Sequence, residues 1–325
     1  MNPTLAIKQM TEVLRLKHYA HTTRETYLGW SHRYIAWLRT QPKILNLETS
    51  EKKLEAYLTA LAQDRVSAST QNQAFNALLF FYKHGVGTAL AGTVQALRAR
   101  RPQRQRIAPD PAVVVRVLNQ VQDRHGYPIR LLCHLLYACG LRVSEVVNLR
   151  LRDLLIKDSL LVIREAKGNK DRKVTLPCSL VPAIERQLLH ARAVHAQDSA
   201  NQIPIQLPHL LRKKYPAWQF AESWAWLFPQ RDPCQDPDDK RTVRFHLHEA
   251  NIQRAMADAC KATNTTGLTP HHLRHAWATH AHRNGASLRD LQEHLGHNHL
   301  NTTMIYITPN PTPIPSPYDA LGIKL

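Results

Sequence analysis

Hydrophobic residues recur at helical spacing through the first ninety or so residues of the chain. Amphipathic patterns predict helices around 54–61 and 75–82, and the second of these is expected to end at Gly85. One aromatic stripe has the i, i+3, i+7, i+10 spacing of a single helix face: Tyr27, Trp30, Tyr34 and Trp37. Such a stripe is more typical of a buried core than of a platform for stacked bases. This part of the chain therefore predicts a small helical bundle.

Past the middle of the chain the hydrophobic pattern changes from helical to strand-like. Two β-rich runs, 160–164 and 173–177, flank the segment EAKGNKD. The Gly168-Asn169 pair within that segment indicates a turn. These features predict a β-hairpin with Lys167 near its tip.

The segment HHLRHAWATH, residues 271–280, is rich in His and Arg but is flanked by helix signals. Thr269-Pro270 is a typical helix start, and Asn284-Gly285 is a typical stop. The buried stripe of this helix is expected to be Leu273, Trp277 and Ala281. A second face near the N-terminus carries His271, Arg274 and His275. Backbone N–H groups and the helix dipole favour an anion at this end.

The net charge of the chain favours a polyanionic partner. The 325 residues contain 43 Lys and Arg against 25 Asp and Glu, which gives a net charge of +18. This excess favours nucleic acid, with an anionic membrane surface as the weaker alternative. No apolar run approaches the roughly 18 residues of a membrane-spanning helix. The five cysteines are scattered without CxxC spacing, which fits a reducing cytoplasm.

A strongly basic segment joins the two halves of the chain. RARRPQRQRIA, residues 98–108, contains five arginines and no acidic residue. It could be only a solvated linker, but in so basic a chain we expect it also to lie along a phosphate backbone. The arginines expected to contact DNA are Arg98, Arg100, Arg101 and Arg104. The predicted domains are residues 1–95 and 109–325, with residues 96–108 as the linker.

Zinc and phosphate are the two ligands that could explain the His/Arg helix. A HExxH zinc site needs Glu after the first His, but this chain has His272 there. Arg274 would place a cation beside the metal, and no cysteine pair completes a site. Ordinary surface histidines are a further alternative. We therefore expect no metal site.

The spacing of residues around this helix favours phosphate. Downstream, LGH ends at His297, and Tyr306 follows nine residues later. Upstream, GLRVSE places Arg142 directly after a helix-breaking Gly-Leu pair, with Glu145 three positions further on. The ordered set is Arg142, Lys167, His271-x-x-Arg274, His297 and Tyr306.

This ordered set resembles the tyrosine recombinases. GLRVSE, AKGNKDR, HHLRHAWATH, LGH and the tyrosine follow that family's order at close to its spacings. The resemblance covers essentially the whole chain. It implies an α-helical core-binding bundle and a mainly α catalytic domain with a small antiparallel β-sheet. It also implies cleavage and rejoining of DNA through a 3′-phosphotyrosyl intermediate, without a nucleotide cofactor or a metal.

The family's chemistry gives each matching residue a role. Arg142 and Arg274 would hold the two non-bridging oxygens of the scissile phosphate with forked donors. Tyr306 would attack the phosphorus, and His271 would accept the Tyr306 proton or bond the same oxygens. Lys167 would protonate the departing 5′-oxygen as a general acid.

Three further residues support this chemistry in the family's scheme. His297 would donate a hydrogen bond to the phosphate. Glu145 would orient the guanidinium of its neighbour at position 142. His275 is expected to play a supporting part on the His/Arg helix.

An insert at about residues 201–230 resembles the extra segment of integron integrases. It contains LPHLLRKKYPAWQFAESWAWLFPQ. Integron integrases recombine gene cassettes between duplex attI sites and attC sites that are read as folded single strands. Aromatic side chains suit this task because extrahelical bases offer faces for stacking. The residues at the family's base-capturing positions are Trp224, Pro237, Phe245 and His246. A packed aromatic cluster is the structural alternative.

The resemblance has departures, and other functions stay open. RFH stands in place of the family's paired histidines, and YIT replaces the usual YTH at the tyrosine. The tail SPYDALGIKL resembles the segment that links protomers cyclically, so a homotetramer on DNA is expected. The alternatives are a generic Xer- or phage-type recombinase acting on duplex sites, a type IB topoisomerase and a DNA-binding regulator. The regulator would have no need of Tyr306.

Overall fold

The chain divides into two compact units, Met1–Arg104 and Gln105–Leu325. The computed structural model describes part of each unit, and every structural statement below concerns these residues. The described residues are 2–17, 19, 21–46, 49–90, 107–166, 170–236 and 239–296.

The first unit is a helical bundle, as the amphipathic patterns predict. Its helices are α1 (Pro3–Leu16), α2 (His21–Arg39), α3 (Pro42–Leu45), α4 (Ser50–Gln63) and α5 (Ala68–Phe81). The side chains of Thr49 and Ser67 cap α4 and α5 by accepting backbone N–H groups of the first turn. Tyr34 of the aromatic stripe is fully buried and Trp30 nearly so, so the assignment of the stripe to the core is confirmed.

The expected helix end at Gly85 is wrong. Helix α5 ends at Phe81 and continues as a π-helical turn, Tyr82–Val86, which closes at Gly87 with φ +80°. Gly85 has a packing role instead, because a Cβ there would lie 2.7 Å from the backbone oxygen of Ala6. The glycine that permits the left-handed turn comes two residues later.

The second unit is mainly helical and carries two small antiparallel sheets. Its helices are α6 (Pro111–Gln120), α7 (Ile129–Ala138), α8 (Val143–Val147), α9 (Val181–Ala200), α10 (His209–Lys214), α11 (Glu249–Ala262), α12 (Pro270–Arg283) and α13 (Leu288–Leu295). Strands β1 (Leu154–Leu155), β2 (Leu160–Ala166) and β3 (Lys170–Thr175) form one sheet in the order β1-β2-β3. Strands β4 (Cys234–Gln235) and β5 (Thr242–Val243) form the other. This is the expected fold class.

The predicted hairpin is confirmed as the antiparallel pair of β2 and β3. Leu160 pairs with Thr175, and the register runs regularly to Ile163, after which it shifts before Ala166. Leu161 and Ile163 point into the core, as alternate residues of a half-buried strand do. The hairpin therefore packs on the core through alternate residues of both strands, including Val174 of β3.

The predicted limits of α12 are confirmed, but its buried face differs from the expected stripe. Leu273 is fully buried, whereas Trp277 and Ala281 are only partly so. Arg274 and His275 are each 1% exposed. A hydrophobic spacing rule cannot find such residues, because charged side chains enter a core only where specific partners compensate their desolvation.

Within the described residues, no helix is both long and apolar enough to cross a lipid bilayer.

Candidate active site

Three arginine side chains contact the carboxylate of Glu145 in α8. Arg142 donates its backbone N–H to Oε2 at 2.8 Å and its Nη1 to Oε1 at 2.6 Å. Arg172 donates Nη1 to Oε1 at 3.0 Å and Nη2 to Oε2 at 2.8 Å. Arg274 adds a longer contact, with Nη1 3.5 Å from Oε2. The structure thus brings Arg142, Glu145 and Arg274 together from separate segments of the chain.

The environment of Glu145 keeps its carboxyl group ionised. Burial alone would raise the pKa of this side chain, which is 7% exposed. The hydrogen bonds and charge of Arg172, the charge of Arg274 and the backbone N–H of Arg142 together lower the pKa to about 2. Three guanidinium groups then surround one carboxylate, which leaves an excess of positive charge. That excess suits an anionic ligand.

The Arg274 guanidinium fastens α12 to two neighbouring segments. Its Nη1 donates to the backbone oxygen of Gly140 at 2.8 Å, and its Nη2 donates to that of Leu295 at 2.6 Å. Gly140 precedes Arg142 by two residues, and Leu295 is the last residue of α13. Arg274 therefore fixes backbone around the cluster, while Arg142, with a side chain 27% exposed, is the more accessible of the two arginines.

The three histidines at the start of α12 have different environments. His271 is exposed, one turn before Arg274. His272 belongs to the helix cap, since its Nδ1 lies 2.8 Å from the hydroxyl of Thr269. His275 is buried. His271, Arg274 and His275 thus lie within α12 at the predicted i, i+3 and i+4 spacing, but only His271 is exposed.

A second set of contacts braces the loop between α7 and α8. The His294 ring stacks on Trp277, with centroids 4.1 Å apart, and its Nε2 donates to the backbone oxygen of Cys139 at 3.0 Å. Burial lowers the pKa of His294, and the nearby arginine charges lower it further. Gly140 has φ +59°, and a Cβ there would lie 2.7 Å from Trp277. Only glycine fits this position without displacing the indole, so the loop that carries Arg142 has one well-defined path.

Sequence reasoning missed Arg172, although all three of its guanidinium nitrogens form hydrogen bonds within the cluster and its surroundings. Besides its two bonds to Glu145, its Nε donates to the backbone oxygen of His294 at 2.7 Å. The one available signal was its place in the AKGNKDR motif. The alternation of β3 could indicate that Arg172 faces inward, but not which carboxylate it meets there.

The insert is anchored directly to the segment that follows α8. Leu151 donates its N–H to the backbone oxygen of Ala225 at 3.0 Å, and Leu227 donates to that of Leu149 at 2.8 Å. Arg150 donates Nη1 to the backbone oxygen of Trp224 at 2.6 Å. The insert is therefore hydrogen-bonded to the same stretch of chain that carries Arg142 and Glu145.

Trp224 lies inside a stack of aromatic and guanidinium groups. Its ring is stacked on Trp218 with centroids 4.7 Å apart, and Trp218 is stacked on Tyr215 at 4.0 Å. The Arg152 guanidinium carbon lies 3.3 Å from the Trp224 ring centroid. Trp224 is only 5% exposed, so neither face of the ring is open to a base in this conformation. The described part of the insert forms the packed aromatic cluster that was the structural alternative.

Phe245 and His246 pack against the insert on Trp226. The His246 ring lies 5.0 Å from the Trp226 ring and 4.4 Å from that of Phe245. Burial lowers the pKa of His246 to about 4, and its Nδ1 donates to the backbone oxygen of Leu247 at 2.8 Å. His246 is therefore neutral at physiological pH and offers an imidazole edge rather than a charge.

A cleft of about 450 Å³ lies between α8, the β2–β3 sheet and the insert. Glu145, Arg152 and Arg164 contribute charged groups to its wall, and Trp224 and Trp226 contribute the aromatic part. Its size is within the range of small-molecule sites. Its wall extends from Glu145, the carboxylate of the arginine cluster, to the insert.

Comparison with known proteins identifies the family of the chain. The phage integrase family matches residues 110–312, and its N-terminal SAM-like domain matches residues 7–91. The chain belongs to the phage integrase family. It is accordingly a site-specific tyrosine recombinase, an enzyme that cleaves and rejoins DNA.

Relatives of this recombinase support the assignment along most of its length. An "Integrase/recombinase" of Escherichia coli is 36% identical over 321 residues, covering 97% of this chain and 93% of the relative. The "Tyrosine recombinase XerD" of Agrobacterium fabrum is 32% identical, covering 80% of this chain and 76% of the relative. Among solved structures, a XerH recombinase bound to its difH substrate has a TM-score of 0.61 at 17% identity, covering 92% and 81%. A lambda integrase dimer bound to a core site has a TM-score of 0.59 at 14% identity, covering 93% and 76%.

Some predicted site residues of the recombinase lie outside the described residues. They are Lys167, His297, Tyr306, Pro237 and the linker arginines Arg98, Arg100, Arg101 and Arg104. Among the described residues, no group of three or more His, Cys, Asp or Glu is placed to hold a metal ion.

Proposed function

We propose that this recombinase is an integron integrase that moves gene cassettes between attC and attI sites. The observation that supports its catalytic part is the arginine cluster on Glu145. Three guanidinium groups and one carboxylate give this cluster a net charge of +2. The trigonal-bipyramidal phosphorane that forms during transfer carries extra negative charge. Fixed guanidinium donors that match this developing charge stabilise the transition state more than the ground state.

Each proposed residue has a defined step in this reaction. Tyr306 attacks the phosphorus while His271 accepts its proton or bonds a non-bridging oxygen. Arg142 and Arg274 bind the non-bridging oxygens, and Lys167 protonates the 5′-oxygen that leaves. The 3′-phosphotyrosyl bond retains the energy of the phosphodiester, so rejoining requires neither a nucleotide cofactor nor a metal.

The supporting residues act on the same phosphate or on its ligands. His297 donates a hydrogen bond to the phosphate, and His275 supports α12 from its buried position. Glu145 holds Arg142 by a bond to the guanidinium and a bond to the backbone N–H. These two bonds fix both ends of Arg142, which reduces the entropy lost when the phosphate is bound.

The insert supports the choice of a folded single-stranded attC substrate. The cleft beside the arginine cluster is large enough for a base, and aromatic residues form part of its wall. An extrahelical base has two faces and an edge for recognition, which a perfect duplex does not present. We further propose that Pro237, Phe245 and His246 contact such bases, that the linker arginines contact the backbone, and that four protomers assemble on the DNA in the cytoplasm.

A generic Xer- or phage-type recombinase acting on duplex sites is the second candidate. It is favoured by the burial of Trp224, because a covered indole cannot stack on a flipped base. In that case the insert would serve only to stabilise the catalytic unit.

The test of the proposed function is formation of a covalent protein–DNA adduct on labelled oligonucleotides. Tyr306→Phe should bind DNA and form no adduct, because only the phenol oxygen is lost. An adduct that persists in Tyr306→Phe but disappears in Tyr318→Phe would contradict the choice of nucleophile. A hairpin of one attC strand and the same site as a perfect duplex are compared at one salt concentration. Equal cleavage of both would favour the second candidate.

A further inference from the structure

Arg172 is buried at the active site, but the proposed reaction gives it no role. We propose that Arg172 is a positioning residue for phosphate binding: it fixes the Glu145 carboxylate and the end of α13, and thereby orients Arg142 and Arg274. This inference rests on the proposed function of those two arginines. It assigns Arg172 no contact with DNA.

The bonding of Arg172 supports a role within the protein rather than on the substrate. Its side chain is 8% exposed. Both terminal nitrogens donate to Glu145, and Nε donates to the backbone oxygen of His294. All three nitrogens of the guanidinium are thus directed at protein acceptors.

The position of Arg172 connects three segments that carry proposed catalytic residues. It lies on β3, five residues after Lys167 in the sequence. Its carboxylate partner lies on α8, next to Arg142. Its carbonyl partner, His294, lies near the end of α13, three residues before His297. One side chain therefore joins β3, α8 and the end of α13, which are the described segments nearest in sequence to Lys167, Arg142 and His297.

Close packing shows that the junction is built around this side chain. Helix α13 ends at Leu295 and is capped by Gly296, which has φ +64°. A Cβ at this position would lie 3.1 Å from Cδ of Arg172 and 3.3 Å from its Nη1. The left-handed conformation and the close approach both require glycine. Gly296 therefore packs directly against the Arg172 side chain.

An arginine is required here because of the geometry of the two-oxygen contact. The planar fork meets both carboxylate oxygens at once and has a third donor for the carbonyl, whereas lysine presents one ammonium group. Fixing both oxygens sets the rotation of the carboxylate. The rotation of the carboxylate in turn sets the direction of its bonds to Arg142 and Arg274.

Arg172 also governs the charge of Glu145. The charged and titratable groups that face this carboxylate are Arg142, Arg172, Arg274 and His294. Burial opposes ionisation, and Arg172 makes the largest contribution in favour of it. With a pKa of about 2, the Glu145 carboxyl group of the wild type becomes protonated only at a strongly acidic pH. Without Arg172 the pKa of Glu145 rises, so its carboxylate becomes protonated at a higher pH.

The test compares Arg172→Met, Arg172→Lys and a control in single-turnover cleavage at saturating DNA across pH. The control is Arg244→Met, which removes another buried arginine from a two-oxygen contact, with Asp198 at 2.6 and 2.5 Å. Arg172→Met should cleave roughly 10- to 100-fold more slowly at neutral pH, because small misplacements of reacting groups have effects of this size. Its DNA affinity should stay within about threefold of the wild type, since Arg172 does not contact DNA. Its rate should fall further as the pH is lowered.

The lysine variant separates charge from geometry. Arg172→Lys retains a positive charge beside Glu145, so its rate should depend on pH like that of the wild type. It lacks the fork, so its rate at neutral pH should stay low. Arg244→Met should lower thermal stability without adding a pH dependence to the cleavage rate.

In the cleavage assay, two outcomes would overturn the inference. The first is wild-type rate and pH dependence in Arg172→Met. The second is a loss of rate that follows only the loss of folded protein, with the pH profile of the Arg244→Met control. A carboxyl ¹³C NMR titration, assigned with Glu145→Gln, gives a readout that needs no substrate. If the wild type cleaves none of the oligonucleotides, the proposed function fails. An unchanged Glu145 titration in Arg172→Met would make the positioning inference fail separately.

Discussion

Replacing Trp224 by alanine distinguishes a structural tryptophan from one that captures bases. The residue is 5% exposed, is stacked on Trp218 and lies 3.3 Å from the Arg152 guanidinium. Removing a buried aromatic ring from a packed core costs about 3–5 kcal/mol. For a unit of this size, that loss corresponds to a fall in melting temperature of about 6 to 20 °C.

The measurement is denaturant and thermal unfolding of the wild type, Trp224→Ala and Phe220→Ala. Phe220 belongs to the same insert and is 41% exposed, so it provides a matched aromatic control. Its replacement should change the free energy of unfolding by less than about 1 kcal/mol, because little apolar area is lost. The difference between their free energies of unfolding shows how much of the loss is due to burial of the ring.

DNA binding completes the experiment and can refute the reasoning. Titrations use a hairpin with its extrahelical bases and the same hairpin without them, at a temperature where Trp224→Ala is folded. Because the Trp224 ring is covered, Trp224→Ala should leave the ratio of the two affinities unchanged. A base that stacked on Trp224 would contribute roughly 1–3 kcal/mol, or about one to two orders of magnitude in affinity. Wild-type stability in Trp224→Ala together with such a loss of preference would show that the tryptophan faces DNA.

Two further predictions concern the active site. Cleavage should continue in excess EDTA, because guanidinium groups supply the positive charge that a metal would otherwise bring; activity that is lost on chelation and restored by zinc would contradict this. Gly140→Ala should destabilise the second unit by about 1–3 kcal/mol, since its φ is +59° and the new Cβ would lie 2.7 Å from Trp277. Unfolding measurements check the second prediction, and a melting temperature equal to that of the wild type would refute it.

Features with local causes could be predicted from the sequence. Asp110 caps α6 through a bond to the N–H of Ala112, and Thr269 with Pro270 starts α12. The β2–β3 hairpin follows from alternating hydrophobic residues around a turn. Each of these signals lies within a few residues of the structure that it specifies, so no knowledge of distant contacts is needed.

Features that depend on distant contacts could not be predicted. Arg274 is buried because carbonyl oxygens of two other segments receive its N–H groups. Arg172 meets a carboxylate 27 residues away and a carbonyl 122 residues away. No pattern of spacing specifies such partners. The order of the motifs indicated which residues share a site, but only the fold shows which of them hold the others in place.

The link between the insert and the active site follows from the same kind of contact. Arg150 bonds the backbone of Trp224 in the insert, while its own N–H donates to Asp153 at 2.9 Å. Asp153 also accepts Nε of Arg164, on β2 of the hairpin, at 2.6 Å. Three hydrogen bonds therefore join the insert, the segment after α8 and strand β2 of the hairpin. Because these links are direct hydrogen bonds between buried or half-buried groups, the insert is part of the same scaffold as β2 and the segment after α8.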